Sequence, residues 1–167
     1  EEASNIEVGS EGVVVIPFGN GAERMFNNKN IGTHFLNLNL NIHNSAHLFR
    51  ASLEGIAFSF VYGMECLKED NTMINVIRAG NDNLFRSEIF SNTVATLIGH
   101  EIEIYNTTGA VGAARAVGLK DGDYSKFGAN VSDNDHVMTF LPLHNKEPYE
   151  TAYQKWKTEL ELILTNK

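Results

Sequence analysis

Residues 73–91 read MINVIRAGNDNLFRSEIFS, and this stretch decides how the chain around it folds. Its β-branched run up to Ile77 predicts a strand, residues 79–83 predict a tight loop, and the amphipathic pattern from Leu84 predicts a helix. The first N–H groups of a helix lie unpaired at the positive end of its dipole, which makes such a loop a candidate phosphate site. The alternative is an ordinary βα connection that needs Gly80 only for its turn.

A layered α/β domain is predicted from the elements on either side of this stretch. Strands that alternate with helices along a chain favour parallel pairing in a sheet that helices cover. The long helix in the first half is apolar around most of its circumference, which predicts a central position. On its polar edge, Arg50 and Glu54 stand four residues apart, where an exposed pair contributes well under ~1 kcal/mol. The predicted strands are 12–18, 33–40, 73–78 and 101–105, the predicted helices are 44–68, 84–98, 109–117 and 149–164, and residues 118–142 are predicted to be a loop.

The composition argues against several classes of partner. The chain has 167 residues, of which 43% are hydrophobic, enough for one domain with its own core. Its 21 acidic and 13 basic residues give a formal net charge of −8, and no run of Lys or Arg is present, which argues against nucleic acid or a membrane as partner. Cys66 is the only cysteine and the first residues do not read as a secretory leader, so we expect a cytoplasmic location without disulfides.

Two patterns resemble metal sites only weakly. His43 and His47 stand one helical turn apart, as two zinc ligands would, but Asn44 occupies the position where a zinc-site Glu is expected. A helix cap or a partly buried pair is therefore favoured. Asp133 and Asp135 suggest a calcium loop, yet the required Gly and distal Glu are absent, which favours a turn. We therefore predict no metal ligands.

Four short segments carry recognisable motifs: HLFRASLEGIAF at 47–58, Ile-Pro-Phe at 16–18 followed by Gly-Ala-Glu-Arg at 21–24, Arg-Ala-Gly-Asn at 78–81 and Gly-Ala-Val-Gly-Ala-Ala at 109–114. Together they resemble the second domain of the FGGY carbohydrate kinases, and most of all the xylulokinases of that family. The most specific is HLFRASLEGIAF at 47–58, which matches the family signature with its Ala and its Glu-Gly pair. Ile-Pro-Phe at 16–18 followed by Gly-Ala-Glu-Arg at 21–24 resembles the family's Leu-Pro-Tyr and Gly-Glu-Arg. The family's Gly-Ala-x-Gly-Ala-Ala segment is present at 109–114, and its adenosine motif aligns with 78–81. The resemblance extends over residues 12–164.

The resemblance implies the fold class and the domain organisation. It implies a ribonuclease H-like, actin-like ATPase domain, in which helices flank a mixed sheet that lacks its first strands. Residues 1–167 would then form the C-terminal nucleotide-binding domain of such a kinase, without its N-terminal sugar-binding domain. Because a sheet without its first strands leaves an unpaired edge and bare apolar helix faces, we expect a homo-oligomer or a partner chain to cover them.

The resemblance also implies ATP and Mg²⁺ as cofactors and indicates where the nucleotide lies. Of the three glycines of the adenosine motif only one is retained, with Arg78 and Ala79 at the other positions. A contact of Arg78 with a phosphate is one way to compensate. Glu23 and Arg24 are either a solvated loop pair or a substrate-side loop, and the general base is expected outside this chain. The residues expected to contact the nucleotide are Gly80, Asn81, Asp82, Asn83, Leu84, Gly109 and Gly112.

The implied activity is ATP-dependent phosphorylation of a sugar, with D-xylulose to xylulose 5-phosphate as the first candidate. Phosphoryl transfer needs positioned phosphates, Mg²⁺ and a base for the acceptor hydroxyl, and this chain supplies only the first. We therefore predict that the chain alone is inactive. One alternative is a kinase of the same family for another ketose or polyol. Another is a non-catalytic actin-like interaction module, which Arg78 and Ala79 favour.

Overall fold

The structure, a computed structural model, describes residues 2–69, 77–117 and 135–166. Predicted features between these ranges, including the start of the strand at 73–78 and Asp133, lie outside the described residues. Short 3₁₀ helices are formed by Glu2–Asn5, Ser10–Gly12, Arg24–Phe26 and Asn83–Arg86. The strands are β1 (Val14–Phe18), β2 (Gly32–Leu36), β3 (Ile77–Gly80), β4 (Ile102–Tyr105) and β5 (His136–Phe140), and the helices are α1 (Ser45–Glu69), α2 (Glu88–Ile98), α3 (Gly109–Val117) and α4 (Glu147–Thr165).

The described strands form two sheets. β1 and β2 pair antiparallel, with Val14 opposite Leu36. β3, β4 and β5 form a second sheet in that order, in which β3 and β4 are parallel and β5 is antiparallel to β4. The predicted parallel pairing and the predicted mixed sheet with flanking helices are therefore confirmed. No described helix is both long and apolar enough to cross a membrane.

The prediction of a loop over 118–142 is wrong at its end, where β5 lies. The strand has the sequence HVMTF, and only Phe140 of its five side chains is buried. It is held by its backbone pairing with β4 rather than by burial. Its apolar residues Val137, Met138 and Phe140 do not alternate with polar ones, so this short edge strand lacks the period of two that predicts a strand.

α1 is the central helix, as predicted, and it packs closely against β1. Gly55 lies directly on the Val15 carbonyl group, and a Cβ atom at this position would overlap that oxygen. The same carbonyl oxygen accepts a hydrogen bond from Trp156 of α4, whose Nε1 lies 2.9 Å from Val15 O. One apolar core therefore joins β1, α1 and α4, and it continues through α2 to β4 and β5.

Two predicted boundaries and one predicted loop are corrected by the local backbone conformation. β2 ends at Leu36, well before residue 40, because Asn37 takes a left-handed conformation with φ of 59°. The helix predicted from Leu84 begins as α2 only at Glu88, after a 3₁₀ turn. The long polar loop before β2 contains the 3₁₀ helix Arg24–Phe26, whose buried Phe26 anchors the loop in the core.

The Arg50–Glu54 pair is buried, so the prediction of an exposed polar edge is wrong. Arg50 is 6% exposed and Glu54 is 2% exposed, and their Nε and Oε1 atoms lie 2.6 Å apart. Glu54 also accepts hydrogen bonds from Gly9 N at 3.1 Å and from Ser10 Oγ at 2.9 Å. Residues 9–12 form a left-handed turn with φ between 51° and 98°. Such a conformation is unfavourable for Ser10, so the Glu54 carboxylate stabilises a strained turn.

Tyr153 carries a buried hydroxyl group that has no hydrogen-bond partner in the described part of the chain. Burial raises the pKa of Tyr153, and the Glu65 carboxylate raises it further. Because the folded state then keeps the proton that the unfolded state loses, stability is present below pH 10 and declines as the pH rises above it. We expect Tyr153→Phe to have the same free energy of unfolding as the parent at pH 7. When the pH is raised above 10, the variant should lose less of this free energy than the parent does. Urea unfolding at both pH values measures this, and an equal alkaline loss in both proteins would contradict it.

Candidate functional site

The carboxyl ends of β3 and β4 lie side by side and carry the loops that the sequence singles out. Asn81 N, directly after β3, donates to Tyr105 O at the end of β4 at 2.7 Å. The next loop, 106–108, leads straight into α3. In open α/β sheets, ligands bind at the carboxyl ends of parallel strands. The carboxyl ends of β3 and β4, with the loops that follow them, are therefore the candidate site.

Gly80 is the point where the two loops touch. A Cβ atom at this position would overlap the Thr107 carbonyl oxygen and would lie 3.2 Å from Asp82 Oδ1. Gly80 does not take a positive φ, so the turn itself does not require glycine. The reason for glycine here is the close approach of the neighbouring backbone. The interpretation that Gly80 serves only its own turn is therefore wrong.

The remaining residues of the first loop differ in exposure. Asn81 and Asn83 are exposed, whereas Asp82 and Leu84 are partly buried. Asn83 has a φ of 48°, a left-handed conformation that asparagine tolerates better than most residues. Leu84 packs against the apolar core, so its side chain holds the loop in place.

The phosphate site predicted at a helix start near Leu84 is not formed in the predicted way. Residues 83–86 form a 3₁₀ helix, and α2 begins at Glu88 with its end capped by Ser87, whose Oγ accepts from Phe90 N at 3.4 Å. The α-helix that begins nearest Gly80 in the fold is α3. Thr108 precedes it, and its Oγ1 accepts from Val111 N at 3.3 Å. Sequence reasoning overlooked Thr107 and Thr108, although a Thr before a helix is a recognisable cap.

α3 begins two residues after Thr107, and its two glycines are Gly109 and Gly112. Gly109 is exposed and Gly112 is partly buried, and at both positions a Cβ atom would meet no described atom within 4 Å. Neither glycine is required by packing within the described chain. Gly80, through its contact with Thr107, and Gly109 are thus brought to one edge of the sheet, with Gly112 one turn further along α3.

Arg78 lies on the face of the sheet and is paired there. Its Nε is 2.8 Å from Glu103 Oε2, and Tyr105 donates its hydroxyl to the same oxygen at 2.8 Å. The hydrogen bond from Arg78, together with that from Tyr105, holds the pKa of Glu103 below its usual range. The guanidinium lies over the Tyr105 ring at 5.9 Å. Arg78 is therefore held by side chains of the neighbouring strand β4. This position does not support the phosphate contact suggested from the sequence.

Glu23 and Arg24 lie in a different place. Glu23 lines an open cleft with Met25 and the α1 residue Phe60, and its backbone pairs with Lys29. Arg24 is exposed, and no ion pair joins it to Glu23 among the described residues. The residues that line this cleft include none from the loops at Gly80 and Gly109. The structure does not bring this predicted loop together with the loops at Gly80 and Gly109.

His43 and His47 are buried parts of the start of α1. His43 Nδ1 accepts from Asn39 N at 3.0 Å, and His47 Nδ1 lies 3.2 Å from Asn44 N. Asn44 Oδ1 accepts from Ala46 N at 3.0 Å and so caps the helix. Within the described ranges, no three His, Cys, Asp or Glu side chains are grouped as a metal would need. The prediction of a cap and a buried pair is confirmed.

Comparison with known proteins relates the chain to kinases. No family model matches the chain. The chain is 30% identical over 120 residues to the L-xylulose/3-keto-L-gulonate kinase of Escherichia coli (strain K12), covering 70% of this chain and 24% of that protein. It is 28% identical over 122 residues to the glycerol kinase of Vibrio atlanticus (strain LGP32), again 24% of that protein. The chain is a relative of the FGGY carbohydrate kinases. The matched 120 to 122 residues span about a quarter of the length of each of these two curated kinases.

Solved structures of FGGY kinases share the fold. Xylulose kinase from Rhodospirillum rubrum superimposes on 97% of this chain with a TM-score of 0.75 and 21% identity, over 33% of its own length. Plasmodium falciparum glycerol kinase with ADP superimposes on 98% of this chain with a TM-score of 0.73 and 20% identity, also over 33% of its length. The prediction of an actin-like ATPase fold is therefore confirmed.

Proposed function

We propose that this chain is the C-terminal, nucleotide-binding part of an ATP-dependent kinase for a sugar or polyol. The observation that carries the proposal is the contact of Gly80 with Thr107, which joins the β3 loop to the start of α3 at the carboxyl ends of two parallel strands. Relatedness to L-xylulose and glycerol kinases supports phosphoryl transfer as the reaction. We assign the binding of the acceptor and the general base to polypeptide outside this chain.

The residues at this edge fit a nucleotide. Exposed Asn81 offers an amide donor and acceptor for a base or ribose, and the bare Gly109 and Gly112 leave room for a ligand to approach the α3 backbone. Mg²⁺ supplies charge neutralisation during phosphoryl transfer. Since the described residues contain no cluster of three metal ligands, we assign its coordination to the phosphates and to other parts of the kinase.

The acceptor is proposed to be a ketose, with D-xylulose first. The support is the relatedness to an L-xylulose/3-keto-L-gulonate kinase, while glycerol kinase keeps a polyol as the second candidate. A non-catalytic module is the rival function. It is favoured by Arg78, which occupies a glycine position of the adenosine motif and is paired with Glu103.

Calorimetric titration of the chain with MgATP tests the nucleotide site. We expect saturable binding that weakens at least about tenfold, equivalent to about 1.4 kcal/mol, in Asn81→Leu. Asn41→Leu is the matched control, because Asn41 is also an exposed loop asparagine but lies before α1. Equal affinity of the parent and Asn81→Leu for MgATP would show that Asn81 does not contact the nucleotide and that the site lies elsewhere on the chain. Absence of binding at millimolar MgATP would favour the non-catalytic module.

Gly80→Ala is expected to lower stability as well as MgATP affinity. The added Cβ meets the Thr107 carbonyl oxygen, so the loop before α3 must move, at a cost of about 1–3 kcal/mol. Urea unfolding without nucleotide measures this cost, and an unchanged midpoint would show that the two loops are not in contact. Gly112→Ala is the control, since its Cβ meets nothing within 4 Å and alanine favours a helix.

A further inference from the structure

Tyr105, the last residue of β4, connects the two loops of the candidate site through its backbone. Its carbonyl oxygen accepts from Asn81 N, in the loop after β3, at 2.7 Å and from Thr107 N, in the loop before α3, at 2.8 Å. The two loops therefore share one acceptor atom. Because both hydrogen bonds end on this oxygen, a change in the backbone conformation of Tyr105 moves both loops.

The side chain of Tyr105 is held at its hydroxyl group and at its ring. The hydroxyl donates to Glu103 Oε2 at 2.8 Å, and the same oxygen accepts from Arg78 Nε at 2.8 Å. The Arg78 guanidinium lies 5.9 Å from the ring centroid, and the His136 ring meets the Tyr105 ring edge-on at 5.6 Å. The allowed rotamers of a side chain depend on its backbone dihedral angles, so a fixed ring restricts the backbone that carries the carbonyl group.

The pairing between β4 and β5 becomes irregular at Tyr105. Ile104 pairs with Met138 of β5. Tyr105 pairs with His136, so the β5 residue between these two partners has no place in the ladder. Such a bulge locally disrupts the ladder, and bulges are frequent next to active sites, where they redirect a side chain. The side-chain contacts of Tyr105 therefore set more of its position than they would in a regular strand.

The ion pair of Arg78 and Glu103 is too exposed to serve mainly for stability. The Arg78 side chain is 52% exposed and that of Glu103 is 22% exposed, and ion pairs at a surface contribute little to the free energy of unfolding. The two residues face each other across β3 and β4, two residues before Gly80 and Tyr105, which are also partners. Side chains two apart lie on one face of a strand, so the pair stands directly beside Tyr105.

We propose that Tyr105 is a positioning residue of the nucleotide site and that Glu103 and Arg78 fix its side chain. This inference rests on the proposed function. It gives Arg78 an indirect role, in which the residue at a glycine position of the adenosine motif aligns the two loops and does not touch the ligand. The shared Tyr105 carbonyl oxygen is the atom through which this alignment reaches both loops.

Calorimetric titration with MgATP compares two substitutions of Glu103. Glu103→Leu removes the acceptor of the Tyr105 hydroxyl, and we expect it to weaken MgATP binding at least about fivefold, as for one lost hydrogen bond. Glu103→Gln keeps an acceptor oxygen and is expected to restore the affinity to within about twofold of the parent. The comparison separates positioning from charge, because removing a carboxylate near an anionic ligand would by charge alone strengthen binding equally in both variants.

Glu101 provides the control pair, as Glu101→Leu and Glu101→Gln. It is exposed and precedes β4 at the end opposite to Tyr105, so both variants should bind MgATP as the parent does. Tyr105→Phe keeps the ring and removes only the hydroxyl, and it is expected to reproduce the effect of Glu103→Leu. Urea unfolding without nucleotide should give one midpoint for the parent, Glu103→Leu and Tyr105→Phe.

A second measurement needs no nucleotide. The amide signals of Asn81 and Thr107 in the ¹⁵N-labelled chain report their hydrogen bonds to Tyr105 O. Glu103→Leu and Tyr105→Phe should displace both signals, whereas Glu101→Leu should displace neither. If the parent does not bind MgATP, the proposed function fails, and these signals still decide whether the Tyr105 side chain sets the two loops.

Three results would overturn the proposal. The first is an equal MgATP affinity of Glu103→Leu and Glu103→Gln, whether or not it differs from that of the parent. The second is a pair of unmoved amide signals of Asn81 and Thr107 in Tyr105→Phe. The third is a lower urea midpoint of Glu103→Leu alongside its loss of affinity, which would assign these contacts to stability instead.

Discussion

Glu54→Ala is expected to lower the free energy of unfolding by about 3–5 kcal/mol, a large share of the stability of a domain of this size. The substitution leaves the guanidinium of Arg50, which is only 6% exposed, without its partner. It also removes the acceptor for Gly9 N and Ser10 Oγ, which hold the left-handed turn before β1. Urea unfolding followed by fluorescence measures the change, because Trp156 is the only tryptophan and lies beside β1.

The partly exposed pair of Lys157 and Glu65 provides the control for Glu54. Their Nζ and Oε2 atoms are 2.8 Å apart, but both side chains are partly exposed. We expect Glu65→Ala to cost under about 1 kcal/mol. A Glu54→Ala cost as small as that of Glu65→Ala would show that the buried network does not form.

Trp156→Ala is expected to destabilise the chain by about 3–5 kcal/mol, because a fully buried indole is removed from the centre of the core. Its ring lies about 6 Å from those of Phe58 and Tyr153, and its Nε1–H bonds the backbone of β1. Trp156→Phe keeps much of the packing and loses the hydrogen bond, so a smaller loss of about 1–3 kcal/mol is expected. Circular dichroism during urea unfolding measures both. Equal losses in the two variants would contradict the packing contribution of the indole, and an unchanged stability of Trp156→Phe would contradict a role for the hydrogen bond.

The large periodic elements could be predicted from sequence. α1 was expected over 44–68 and lies at Ser45–Glu69, because its apolar residues repeat over almost seven turns and Asn44 provides a cap. α3 was expected over 109–117 and has those bounds. In both cases the signal is local, since periodicity and capping depend only on neighbouring residues.

The buried polar network could not be predicted in the same way. The spacing of Arg50 and Glu54 predicts a pair, but their burial depends on Gly9 and Ser10, more than forty residues earlier. A left-handed turn that includes Ser10 and Glu11 is also contrary to local preference. Tertiary contacts therefore decide the conformation of this turn.

The candidate site was predicted in part. The sequence singled out Gly80 and Gly109, but the reason for Gly80 is the Thr107 backbone, which belongs to a loop 27 residues later in the chain. The helix start near Leu84 was predicted four residues too early, because the 3₁₀ turn at Asn83–Arg86 has the same apolar residues as a helix start. The cap at Thr108 was open to prediction and was overlooked.

We propose that a nucleotide binds where the loop after β3 meets the start of α3. Amide chemical shifts of the ¹⁵N-labelled chain during a titration with MgADP measure this directly. We expect the largest, saturable shifts on residues 80–84 and 107–112, and unchanged shifts on β1 and β2. Saturable shifts centred on the cleft at Glu23, or none at millimolar MgADP, would contradict it.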